Sequence, residues 1–225
     1  MEDISSIDYY EDQTIVYSGG SNMLLAGLFG AILMIASRIP SLLFNFELMS
    51  NVVPSPTATW ALLLSLGSLV ALVAGILMGL GLMALMKRYG KPYGPILFLA
   101  VVVPSLISQF FMLQVTSPEQ AIVSGMLLSV IGIVASVIIS GGILMIRTQS
   151  VKPNLSLITG ILYLSNPISF MLSGALLMIT QNPSIAYPIY FLTTIGFAFI
   201  VNTLFILLFY TEANTCVTQT LAYSG

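Results

Sequence analysis

The sequence predicts an all-α, polytopic integral membrane bundle of about six spanning helices. Three observations carry that expectation. Of 225 residues, 57% are hydrophobic and only 6% charged, and the mean hydropathy is +1.03, far from the roughly quarter-charged composition of soluble domains. The apolar runs exceed the roughly 18 residues that separate a spanning helix from a buried core helix. They also lack the residue-by-residue alternation of a membrane β-barrel strand.

The first element, residues 1–20, is an acidic tail in which Glu2, Asp3, Asp8, Glu11 and Asp12 stand without a base. A secretory signal opens on a basic region, so no cleavable signal is expected. Ser18 to Asn22 supplies helix-capping chemistry, and the first span covers 22–37. Arg38 and Pro40 interrupt it. One reading ends the helix near Ser37, with Arg38 snorkelling to the interface and an amphipathic interfacial helix over 41–53. The other runs one kinked helix to about Asn51 with Arg38 inside the membrane. The first is preferred, because an unpaired arginine in the membrane costs several kcal/mol. Glu47 is nine residues away and half a turn out of phase, so it cannot serve as partner within one straight helix.

Pro54-Ser55-Pro56 reads as an extended hinge before Trp60, an interfacial anchor. The second span, 60–86, has small residues at Gly67, Ala71, Gly75 and Gly79, a stripe on which another helix can approach closely. Its 27 residues reach roughly 40 Å, longer than a hydrocarbon core of about 30 Å, so it tilts or protrudes. The third span is 95–114. The fourth, 121–146, carries a second stripe at Gly125, Ser129, Gly132, Ser136 and Ser140. The fifth is 155–180 and the sixth 187–210, and residues 211–225 read as a polar tail. The single transmembrane domain thus covers 21–210.

Lys87, Arg88, Lys91, Arg147 and Lys152 fall on one side of this bundle and Arg38 on the other, so the positive-inside rule puts both termini in the cytoplasm. For the acidic tail, pairing with the loop at 87–92 is the alternative to simple solvation, and exposed pairs are worth under about 1 kcal/mol. A weak parallel repeat aligns the second span, Lys91-Pro92 and the third with the fourth span, Lys152-Pro153 and the fifth. Parallel repeats occur in transporters.

Absences narrow the chemistry. The chain has no histidine, which removes histidine-ligated metal or haem and an imidazole base. Aspartate is confined to the tail, and the spans as drawn hold no carboxylate from the second to the sixth. Gly75 to Gly81 lies inside a helix, where it reads as packing and not as a phosphate cradle. Cys216, the single cysteine, can form no internal disulfide and has no basic neighbour to activate it. The net charge of −2 gives no footprint for nucleic acid, and no cofactor is expected. The methionines read as gap-fillers and the tyrosines at span ends as an interfacial belt.

Neutral amides remain: Gln109, Asn166 and Asn202. They either bond between helices or line a solute path, with Pro104 and Pro167 freeing the carbonyls of Ala100 and Tyr163. Two functional expectations follow. The first is a non-enzymatic accessory or scaffold subunit of a membrane complex, surrounded by lipid and packed on a membrane-protein partner or on copies of itself through the stripes. The alternative is a carrier or channel for a small neutral or apolar solute. A polar cavity near the midplane favours the second, and a dry core with exposed stripes favours the first.

Overall fold

The computed structural model describes residues 20–40, 42–43, 58–114, 118–180 and 195–223. The acidic tail, the interfacial segment 41–53 save two residues, and the start of the sixth span at 187 lie outside the described residues. Among the described residues the protein is all-helical, with no strand. Its helices are α1 (Gly20–Ser37), α2 (Ala58–Arg88), α3 (Gly94–Gln114), α4 (Pro118–Met145), α5 (Pro153–Thr180) and α6 (Phe197–Tyr223). Three stretches, Ser65–Arg88, Leu127–Met145 and Phe197–Thr215, are long and apolar enough to cross a membrane, and Asn22–Ser37 and Gly94–Phe110 are shorter apolar helices.

Each helix packs chiefly on its neighbours in sequence, and α6 closes back on α1. The result is a ring of six antiparallel helices. α1, α3 and α5 start at the end that carries the basic loops, and α2, α4 and α6 finish there. Local chemistry sets these turns. At the end of α2, the Lys91 N–H bonds the Met86 carbonyl at 2.9 Å and the Gly90 N–H bonds Lys87 at 3.1 Å. Gly90 has φ +62°, so this is a Schellman stop that needs glycine. Pro95 and Pro153 then occupy the first turns of α3 and α5, where a missing N–H breaks no helical bond.

The small-residue stripe of α2 does not serve one partner. A spacing of four residues slips about 40° per step on a helix of 3.6 residues per turn, so the stripe winds round it. At Gly67 an added Cβ would meet the Ser37 carbonyl of α1 at 3.1 Å, at Gly75 it would meet Ser105 of α3 at 3.0 Å, and at Gly79 it would meet Phe98 of α3 at 2.9 Å. The tightest approaches lie off that stripe, where a Cβ on Gly30 would run into the Met78 nitrogen and one on Gly81 into the Gly27 Cα. A Cβ on Gly27 would stand 2.7 Å from the Gly81 Cα, so α1 and α2 meet backbone to backbone. α4 does not pair with α2; both lean on α3.

The last helix runs past the expected end at Tyr210. Phe205, Leu208, Phe209, Glu212 and Ala213 are all buried at spacings of 3, 4, 7 and 8 residues, one continuous face of α6. Residues from 211 therefore begin as packed helix rather than polar tail. Arg38 is exposed in a turn just beyond α1, at the end of the bundle away from the basic loops.

Gly81→Leu should abolish recovery of folded protein from detergent extraction or lower its Tm sharply, since overpacking alone costs about 1–3 kcal/mol and here the obstacle is backbone. Gly132→Ala, whose Cβ meets nothing within 4 Å, should leave Tm unchanged or slightly higher in the same thermal denaturation.

Candidate functional site

About halfway along the helices the ring encloses a cleft. Its inner compartment, about 210 Å³, is walled by residues from all six helices, among them Met34, Met78, Ser105, Ser136, Tyr163 and Asn202. Small residues create it: Ala100, Gly132, Ala135 and Ala198 also line it, and none extends far inward. An outer compartment of about 420 Å³ adjoins it, bounded by Ser37, Gly67, Ser68, Ala71, Ser108 and Gln109. The two share Met34, Arg38, Pro104 and Ser105, so Arg38 stands at the mouth. Asn202 is ten residues before Glu212 in the sequence, about 15 Å along the helix; Gln109 is about 22 Å from the start of α3.

Local structure supplies polar groups to this space. Pro104 is an internal proline of α3, and its ring removes the amide that would otherwise bond the Ala100 carbonyl. The Ser105 hydroxyl donates to the Val101 carbonyl at 3.0 Å. Asn202 donates through Nδ2 to the Ala198 carbonyl on its own helix at 2.7 Å, which leaves its Oδ1 as an acceptor. Gln109 Oε1 accepts the Ser68 hydroxyl at 3.2 Å, a bond between α2 and α3. Tyr163 stands edge-on to Phe205, with centroids 5.4 Å apart.

The expected site residues divide accordingly. Gln109 and Asn202 do line the cleft, in different compartments, while Asn166 and Gly125 have surroundings outside the described residues. Gly132 and Ser136, expected as packing positions, face the inner compartment, and Gly132 makes no close helix contact among the described residues. Ser129 is half-buried on α4. Ser140 is buried, and its hydroxyl donates to the Gly160 carbonyl of α5 at 2.6 Å, so this part of the stripe does join two helices. The sequence reading missed Ser105 and Arg38 as lining residues and offered Tyr163 only through its backbone carbonyl.

Toward the basic loops the cleft is closed in two layers. Leu82, Leu97, Ile139, Phe205 and Phe209 are fully or almost fully buried there, with Phe205 stacked on Phe209 at 5.9 Å. Beyond them lies Glu212, with no exposed surface. Its Oε2 accepts the Tyr89 hydroxyl at 2.7 Å and lies 3.4 Å from Arg88 Nη1. Its Oε1 accepts the Ser150 hydroxyl at 3.0 Å and the Val151 N–H at 3.2 Å. Arg88 also donates to the Glu212 carbonyl, and Ser156 donates to Ser150 at 2.7 Å. One carboxylate thus ties both basic loops to α6. Burial, together with the hydrogen bond to Glu212 and its negative charge, raises the Tyr89 hydroxyl well above the usual phenol range, so Tyr89 stays a donor. The expected absence of carboxylates from the apolar spans does not hold at this residue: a partnered carboxylate is tolerated where an unpaired one is not.

The other bases, Lys87, Lys91, Arg147 and Lys152, lie at the same end and are exposed or half-exposed. Among the described residues no three histidine, cysteine, aspartate or glutamate side chains gather as a metal site. No family model matches the chain, and no curated protein or solved structure matches it.

Glu212→Ala should destabilise the protein by about 3 kcal/mol, the usual result of stranding one member of a buried ion pair. Limited proteolysis should then cut both loops, 87–92 and 147–152, faster than in the parent, whereas Lys152→Ala should leave the loop at 87–92 as protected as before.

Proposed function

We propose that the chain is a six-span, non-enzymatic protein of the cell membrane, with both termini cytoplasmic, that carries a small neutral solute through its central cleft. The observation that carries this reading is the inner compartment. All six helices contribute to it, and it holds hydroxyl and amide groups about 15 Å from the basic end, close to the middle of a core about 30 Å thick. Polar groups at that depth in a transporter face the solute. The five bases at one end support the orientation. Among the described residues the lining has no carboxylate to attract a cation. The buried apolar layer and Glu212 close the cytoplasmic side, so passage requires rearrangement, as in a carrier rather than an open pore.

The assembly reading has less support. The faces that would have offered a smooth surface to a partner are occupied within the chain: Gly67 faces α1, Gly75 and Gly79 face α3, and Ser140 binds α5.

Stopped-flow light scattering of proteoliposomes tests the proposal with glycerol and urea as solutes. The parent protein should accelerate swelling over empty liposomes for at least one of them. Gly132→Leu, which grows into the inner compartment from a position with open space around it, should return the rate to that of empty liposomes without lowering Tm. Equal rates for parent and empty liposomes with both solutes would count against transport of small neutral molecules, and undiminished rates in Gly132→Leu would exclude this cleft as the path.

A further inference from the structure

On the outside of the ring, where α3 and α4 meet near the basic loops, lies an apolar groove of about 240 Å³ lined by Tyr93, Ile96, Leu97, Val137, Gly141 and Met145, among others. Two adjacent glycines make it. Gly142 lets Leu97 press onto α4, since a Cβ there would stand 2.7 Å from that side chain, whereas a Cβ on Gly141 would meet nothing within 4 Å. The groove is open outward: Tyr93, Ile96, Val137 and Met145 are each between 44% and 54% exposed. From Met145 to Val137 it runs about 12 Å along the helix, most of the roughly 15 Å depth of one leaflet.

Its end is charged. Tyr93 stands two residues from Lys91, and Met145 two residues from Arg147, with Lys152 in the same loop as Arg147. The acid described at this end of the ring, Glu212, is buried against Arg88 and Tyr89 and turns no charge outward. An apolar channel of leaflet depth that ends beside exposed bases is complementary to a molecule with a hydrocarbon chain and an anionic head.

We infer that this groove binds one anionic phospholipid of the cytoplasmic leaflet, with an acyl chain laid over Gly141 and its phosphate between Lys91 and Arg147. Burial of the chain supplies attraction for any phospholipid, and the two bases supply the preference for a negative headgroup. The site is separate from the central cleft, with which it shares no lining residue and which lies further along the helices from the basic loops.

Native mass spectrometry of the purified full-length protein, titrated with phosphatidylglycerol or phosphatidylcholine of identical chains, tests the inference. The parent should bind one phosphatidylglycerol saturably and about 30-fold more tightly than phosphatidylcholine, the factor expected for two bases at an anionic surface. The double substitution Lys91→Gln, Arg147→Gln should bring that ratio close to 1 while phosphatidylcholine binding is retained. Gly141→Leu should remove saturable binding of both lipids and leave solute flux through the cleft intact. Ile96→Trp, which fills the same groove from an exposed position on α3, should have the same effect and provides the result if Gly141→Leu does not fold. Equal affinity of the parent for the two lipids, or saturable phosphatidylglycerol binding that survives filling of the groove, would overturn the assignment. Loss of flux through the cleft in the parent would leave these lipid measurements unaffected.

Discussion

Six helices packed in succession around a ring cannot all touch at the centre. With neighbouring axes about 9 Å apart, each axis of a regular six-membered ring stands about 9 Å from the middle, and a helix with its side chains is roughly 5–6 Å in half-width. A core roughly 3–4 Å in radius is left for side chains to fill. Near the basic loops Phe205, Phe209, Leu82 and Ile139 fill it. Halfway along, Ala100, Gly132, Ala135 and Ala198 face the same centre and leave it open. The cleft is therefore a consequence of residue size at one level of the ring, and the hydroxyl of Ser105 and the amide nitrogen of Asn202 that border it bond carbonyls of their own helices.

The helices themselves were legible because long apolar runs, glycine and proline stops and basic loops are local signals. The described bounds of α1 to α5 lie within three residues of those read from the sequence. Partner choice was not legible. Periodicity shows that α2 has a smooth surface, but the 40° slip per four residues carries that surface from α1 to α3, and nothing in the run itself says where one neighbour ends and the next begins. Gly81 reads as packing only as part of the run Gly75 to Gly81, and the run does not show that it meets Gly27 backbone to backbone.

Glu212 was lost for a different reason. Thr211, Asn214 and Thr215 surround it with the composition of a tail, and composition was weighed over phase. The signal was present: the spacing of Phe205, Leu208 and Phe209 continues through Glu212 and Ala213 without a break. A lone acid in register with a buried stripe, in a chain whose loops carry five bases, is a candidate for a buried partner of one of them. In the cleft, Asn202 and Gln109 stood out as amides in apolar helices, whereas Ser105 and Ser136 did not, because serine is common at ordinary helix contacts and only the ring geometry turns these two toward the centre.

Glu212 also imposes an order on biogenesis. The hairpin of α2 and α3 and the hairpin of α4 and α5 both precede residue 212 in the chain. Neither loop has its acceptor until α6 emerges. The growing chain thus passes through a stage in which Arg88 and the Ser150–Val151 turn have been made and the carboxylate that binds both has not. Addition of α6 joins the two hairpins through one carboxylate and closes the ring.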